Sequence, residues 1–506
     1  MYQQLSAFDS LLIYTDNPRT PMHAGPFFIY DSSTAPKGKV RFKDILSMFE
    51  SRVRAAPVLR RKLVRVPLDL DEPYWADDPD FNVEQHINHI ALPEPADRRQ
   101  LCILLARLMA APLNMNRPPW DAYVIEGLDN VEGVPKGSFG LLLRVHHAAV
   151  DGESGHAMLR AIHDQSVHGD EPVAPHNDGV ASIPSSVRML GRAYLHVLGK
   201  PQRLVKVLSM VLPAARRAKQ VTRDHPDEKR LVPDTRFGGS VSTQRAVLLL
   251  NVDLEVLRSA RHTVEGVTIN DAVVCLIAGA MRRYLAAKRE LPAESMSTVM
   301  PINVRTESER HASGNVVALT TLNMHSDIAD PRERLQAIHS SAVYAKAYQH
   351  AIGATVLSDV AQSFPAGLTS RAIRAAAGFG LLEKSPANTL ITNIPGPKAP
   401  LYMVGAKVIE MHAVGMLMDG IGLFHTVQSY CGRACITVIA DLKKMPDPEF
   451  YECCLLESYD EIKQLRVARA KTPRGSDTKT VKASTPTRSS RKPASRAPVS
   501  RSRRSP

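Results

Sequence analysis

The sequence has little of what metal, disulfide, nucleotide or membrane-spanning proteins require. Its six cysteines (Cys102, Cys275, Cys431, Cys435, Cys453 and Cys454) form no CxxC pair and follow no signal peptide, so neither a zinc site nor a disulfide framework is expected. The thiols are expected to be reduced, in a cytoplasmic protein. The longest apolar runs, such as AVVCLIAGAM, fall far short of the ~20 residues needed to span a bilayer. There is no Walker loop, no GxGxxG and no HExxH, which leaves nucleotide-phosphate chemistry without visible machinery and metal ligation without a recognised spacing. A nucleophilic Ser or Cys is not favoured either, because no GxSxG elbow occurs and no cysteine has a base beside it in sequence.

What is present is size and apolar content. At 506 residues and 44% hydrophobic, the chain is too long for one ordinary core and can build two lobes. The net charge of +13 is unevenly placed: from residue 471 onward eleven basic residues stand against Asp477 alone, so +10 of it lies in the tail. That tail is Ser/Pro/Thr-rich and lacks aromatics, so residues 466–506 are expected to be disordered. Its charge could hold it to anionic lipid or to nucleic acid, or simply be solvated; no specific nucleic-acid recognition is implied.

Periodicity predicts a mixed α+β first lobe over residues 1–180, with GPFFIYD and SFGLLLRV as strands and FKDILSMFESRVRAA and LCILLARLMAAPL as helices. Residues 181–234 read as a basic amphipathic helical connection, in which Leu204, Val207, Leu208 and Val211 recur at helical spacing among Arg203, Lys206, Arg216, Arg217 and Lys219. This stripe would pack on the protein or lie on a membrane surface. A second lobe is expected over 235–465, with RAVLLLNV and CGRACITVIADL as strands and TINDAVVCLIAGAMRRYLAAK as a helix.

One stretch stands out: LLLRVHHAAVDGESG, residues 141–155. It places His146 and His147 at the exit of a buried strand, just before a helix, where a side chain reaches a cleft while packed elements hold its backbone. An imidazole can take a proton near neutral pH if its orientation is fixed. Asp151 follows across a short loop as a candidate to do this, and Gly152 permits a sharp turn into the helix. A metal site would need a third ligand with its own signature, and neither His156 nor His163 supplies one. A structural histidine pair and a general base remain balanced on local physics alone.

HHAAVDG resembles the HHxxxDG motif of CoA-dependent acyltransferases, shared with peptide-synthetase condensation domains. The surrounding chain is similar to the bacterial wax ester synthase/acyl-CoA:diacylglycerol acyltransferase family over about 460 residues, in LSAFDSLLIYTDNPRTPMHAG, PLNMNRPPWDAYVIEGL, TINDAVV, VMPINVR, TNIPGPKAPLYMVGAKV and SYCGRACITVIADLKKMPD, in that order. Pro119 stands where the family usually has leucine. The resemblance implies an α/β, two-lobed acyltransferase fold with the active site between the lobes. It makes His147 the general base, His146 its structural neighbour, and Asp151 and Gly152 the residues that keep the geometry. Asn270 would support the site, while Asp271 is equally a candidate helix cap. Pro112, Leu113 and Trp120 belong to a channel segment, Trp120 more as a packing anchor than an acyl contact. Asn303 and Ser429 are candidate oxyanion donors.

The implied substrates are long-chain acyl-CoA and diacylglycerol, with fatty alcohol as the alternative acceptor; acyl-CoA is a co-substrate, and neither a further cofactor nor a metal is implied. The expected location is cytoplasmic, peripheral to the inner face of the plasma membrane or to lipid droplets. A condensation catalyst is disfavoured because no carrier-attachment motif accompanies the lobes, and a non-catalytic lipid-surface protein because the histidine motif is intact.

Overall fold

A computed structural model describes residues 2–150, 152–169, 185–224, 232–303, 317–352 and 387–470, with 372, 375–376 and 383. Three sheets organise it. A six-stranded sheet has the order β12-β13-β2-β7-β6-β5, built from β2 (His23–Asp31), β5 (Ile87–Ala91), β6 (Trp120–Glu126), β7 (Phe139–His146), β12 (Tyr402–Met403) and β13 (Ala406–Val414). A second has the order β10-β9-β11-β14-β15-β8, from β8 (Arg245–Asp253), β9 (Ser297–Asn303), β10 (Val317–Asn323), β11 (Thr389–Ile394), β14 (Leu423–Tyr430) and β15 (Arg433–Asp441). A small sheet joins β1 (Gln3–Gln4), β4 (Tyr74–Asp77) and β3 (Arg61–Val64). Both large sheets mix parallel and antiparallel pairs, as expected for a mixed α+β chain of two sheet-rich lobes.

Strand β7 lies inside the first sheet and all eight of its residues are buried. That explains its nearly unbroken apolar run, since a strand covered on both faces has no polar face to alternate. Sequence assigns residues 402–414 to the second lobe; the structure instead lays them as β12 and β13 on the edge of the first sheet, with β13 antiparallel to β2. Strand pairing over such a separation has no local signature, because periodicity reports a strand and not its neighbour.

The sheets are further joined by helix α3 (Arg98–Ala110), which packs on β8. Its Leu101 and Leu105 enter a core shared by Phe27 and Ile29 of β2, Val247 and Leu249 of β8, and Phe424 of β14. Arg98 adds a two-pronged ion pair to buried Glu410 of β13, at 2.7 and 2.8 Å. Around these lie α1 (Ala7–Thr15), α2 (Phe42–Arg52), α4 (Gly152–Ile162), α5 (Ser186–Asp224), α6 (Leu254–Ser259), α7 (Ile269–Ala287), α8 (Pro331–Ile352) and α9 (Pro448–Ala470).

Helix α5 takes up most of the 181–234 connection; the side chains of its Leu204–Val211 stripe lie outside the described residues. Helix α9 continues to Ala470, past the expected lobe end at 465, and the tail from 471 lies outside the described residues. Among the described residues no helix is long and apolar enough to cross a membrane.

Because Leu105 is wholly buried where the two sheets meet, Leu105→Ala is expected to cost about 2–5 kcal/mol. A denaturant titration followed by circular dichroism checks it: the midpoint falls, whereas Leu456→Ala, at a 45% exposed position, leaves it unchanged.

Candidate active site

The site grows from the end of β7. The His146 N–H donates to Pro119 O at 2.9 Å and the His147 N–H donates to Met22 O at 2.9 Å, so the backbone is held from two sides where the strand stops. Residues His147–Ala149 then form a single 3₁₀ turn. Proline at 119 suits this arrangement, since the position supplies only a carbonyl to the clasp.

The two adjacent imidazoles have different surroundings. His146 is 1% exposed, and its Nδ1 accepts the Ala148 N–H at 3.2 Å. That leaves the ring proton on Nε2, which has no hydrogen-bond partner and stands 4.0 Å from Asp16 Oδ2. Burial, with the charge of neighbouring His147 second, pushes the His146 pKa down to about 3, so this ring stays neutral. The His147 ring reaches solvent, yet enough protein surrounds it that burial lowers its pKa also, while Asp9 of α1 pulls the other way. A neutral, accessible imidazole on a fixed backbone can accept a proton.

Beneath the turn lies a charged brace. Arg144, 2% exposed, meets Asp121 of β6 through Nε at 2.7 Å and Nη2 at 2.5 Å, and its Nη1 donates to Ala111 O at 2.7 Å and to Leu108 O. It therefore ties β6 and β7 to the carbonyls at the C-terminus of α3, where a cation is favoured. His23, paired with His146 across β2 and β7, donates from Nε2 to Met109 O at 3.1 Å. Its pKa falls to about 3, chiefly through burial and then the Arg144 charge.

Asp16 completes the support. Its Oδ1 accepts the Met22 N–H at 2.8 Å, and Met22 O in turn accepts from His147. Burial raises the Asp16 pKa despite that hydrogen bond. Ala148 and Ala149 pack in a cluster with Leu12, Ile13, Met22, Met115, Met416 and Met418, whose methionines are unbranched and adaptable.

The other residues singled out in the sequence fall in several places. Asp151 lies outside the described residues, and Gly152 opens α4. Pro112 is exposed and Leu113 half-buried in the segment after α3. Trp120 is 1% exposed; its Nε1 donates to Leu59 O at 2.7 Å and its ring stacks on His86 at 4.5 Å. So enclosed an indole packs in the interior, the role of anchor that the sequence favoured for it.

Exposed Asn270 accepts from Asn393 Nδ2 at 2.6 Å. Asp271 forms a capping box with Thr268 and is bonded to His339 Nδ1 at 2.9 Å. Asn303 ends β9 with its side chain outside the described residues. Ser429 Oγ accepts the Gly396 N–H at 3.0 Å, where a Cβ on residue 396 would stand 1.9 Å from Ser429 O, so glycine is required there.

Asp16, Asp9, His23 and the Arg144–Asp121 pair were missed by sequence reasoning. One signal was available, since an arginine inside an otherwise apolar strand needs a buried partner. Among the described residues no group of three or more His, Cys, Asp or Glu side chains is placed to hold a metal ion.

Comparison with known proteins places this geometry in context. Residues 5–273 match the family model of the wax ester synthase/diacylglycerol acyltransferase catalytic domain, and residues 313–463 match the C-terminal domain of the same family. A Mycobacterium tuberculosis (strain CDC 1551 / Oshkosh) protein whose name reads "Putative diacyglycerol O-acyltransferase" is 30% identical over 452 residues, covering 88% of this chain and 87% of its own. In fold, the chain resembles the wax ester synthase/diacylglycerol acyltransferase of Marinobacter aquaeolei VT8, with a TM-score of 0.62, 21% identity and coverage of 92% of this chain and 100% of that one. It also resembles the starter condensation domain of rhizomide synthetase solved with C8-CoA and Leu-SNAC, with a TM-score of 0.52, 15% identity and coverage of 92% and 94%.

Removing the Asp16 carboxylate strips the buried Met22 N–H of its acceptor, so Asp16→Ala is expected to cost about 1–3 kcal/mol of stability. Thermal melting at neutral pH reads this as a lowered midpoint, and an unchanged midpoint would show that the carboxylate does not hold the turn.

Proposed function

The chain belongs to the wax ester synthase/diacylglycerol acyltransferase family, and from that premise we propose that it transfers a long-chain acyl group from acyl-CoA to the hydroxyl of diacylglycerol, forming triacylglycerol. The observation that carries this reading is the neutral, solvent-reaching His147 imidazole at the end of a fully buried strand. In the reaction, His147 takes the proton from the acceptor hydroxyl as that oxygen attacks the thioester carbonyl. The tetrahedral oxyanion collapses, the C–S bond breaks, and the imidazolium returns the proton to the CoA thiolate. No acyl-enzyme forms, in keeping with a site built around a base rather than a nucleophile.

His146 serves as a neutral neighbour that fixes the turn, and Asp151 keeps the geometry. The Ser429 hydroxyl, which only accepts from Gly396, retains its own proton and is proposed with Asn303 as an oxyanion donor. The half-buried Met115, Met416 and Met418 beside the turn suit apolar substrates. Fatty alcohol, giving a wax ester, is the second reading, and it uses the same chemistry on a different hydroxyl. No cofactor beyond the acyl-CoA co-substrate enters. The enzyme works peripherally, on the cytoplasmic face of the plasma membrane or on lipid droplets, with the basic connection and tail as docking elements.

Release of CoA from long-chain acyl-CoA, with diacylglycerol or fatty alcohol supplied in parallel, tests the assignment. His147→Ala is expected to lose about 10²–10⁴-fold in kcat, and equal release by both proteins would remove His147 from the chemistry. The pH profile gives a second check. Because burial holds the His147 pKa below the ordinary 6.5, activity is present above the lowered value and declines as pH falls through it, which places the midpoint of the acid limb below 6.5. An acid limb centred above 6.5 would contradict the assignment.

A further inference from the structure

Helix α5 is exposed on the wrong side for water. Its Met189 and Ala193 are buried against Val66 and Tyr74, so the opposite face should be polar. Instead that face carries Val187, Tyr194 and Leu195, which are 80%, 67% and 66% exposed. The 67–70 turn packs beside this end of α5 and adds Leu68, 75% exposed.

The charge of the same element is one-sided. Over its 39 residues α5 carries nine basic side chains against Asp224 alone, and Arg188 and Arg192 flank the exposed apolar face. Arg192 also borders a recess of about 320 Å³ lined by Tyr2, Gln4 and Tyr74. Its guanidinium lies 5.6 Å from the Tyr2 ring centroid and donates to Tyr2 OH at 3.1 Å. Tyr74 is 2% exposed and its hydroxyl has no hydrogen-bond partner. A buried hydroxyl without an acceptor is costly in a protein that gains nothing from it.

We infer that the first turns of α5, with the 67–70 turn and the recess behind Arg192, form the surface by which this protein seats on an anionic phospholipid bilayer. Val187, Tyr194, Leu195 and Leu68 enter the headgroup boundary, where apolar side chains flanked by arginine are favoured. Arg192 and the Tyr74 hydroxyl receive a lipid phosphate in the recess. This deepens the reading of a peripherally bound enzyme by naming the face that docks, and it needs no acyl transfer to be measured.

The full chain, with its tail present in every variant, is sedimented with sucrose-loaded vesicles of phosphatidylcholine alone or of equal parts phosphatidylcholine and phosphatidylglycerol. The parent is expected to favour the anionic vesicles. Replacing both Tyr194→Asp and Leu195→Asp should weaken that partitioning at least about tenfold, and Arg192→Ala about fivefold. Thermal melting should not change in the double variant, since both positions face solvent. If the variants partition like the parent, this surface is not the docking face, although peripheral binding survives. A parent that sediments with neither vesicle overturns both readings, and one that binds both equally overturns the anionic assignment.

Discussion

The site depends on the clasp at the end of β7. Two backbone hydrogen bonds, from His146 to Pro119 and from His147 to Met22, stop the strand so that one imidazole turns into the core and the next turns out. Side chains on adjacent residues of a strand point to opposite faces, and the clasp preserves that divergence into the 3₁₀ turn. His146 is thereby spent on holding Ala148, and the His147 ring is left facing solvent, free for the role of base proposed above. Both rings are kept neutral by the surrounding protein, which a base requires and a simple ion pair would forbid.

The clasp is itself held by longer-range elements. The Arg144–Asp121 pair joins β6 and β7 to the end of α3, and Asp16 holds Met22. Arg98 and the leucines of α3 then fasten that helix to β13 and β8. The support of the candidate site and the packing of the two sheets therefore share one helix. A change in how the sheets meet would reach His147 through the α3 carbonyls, Arg144 and the strand it sits on.

Much of this was legible in the sequence, for identifiable reasons. Period-2 and unbroken apolar runs marked β2, β7, β8 and β15, and Asp271, expected equally as a helix cap, proves to form a capping box with Thr268 at the start of α7. The histidines were placed correctly because a strand exit before a glycine is a local pattern. What escaped was non-local. Nothing in residues 402–414 says that they pair with β2, and nothing near Asp16 says that it faces His146. Trp120 was ambiguous for a related reason: its enclosure is supplied by Leu59 and His86, neither adjacent in sequence.

The central claim is that His147 acts as a base on the acceptor's hydroxyl, with direct transfer from the thioester. Rapid mixing of the parent protein with long-chain acyl-CoA in the absence of any acceptor tests it most directly, with CoA release followed over the first turnover. The account predicts no burst of CoA, because the acyl group has nowhere to go until a hydroxyl arrives. A burst stoichiometric with enzyme would reveal an acyl-enzyme and contradict it.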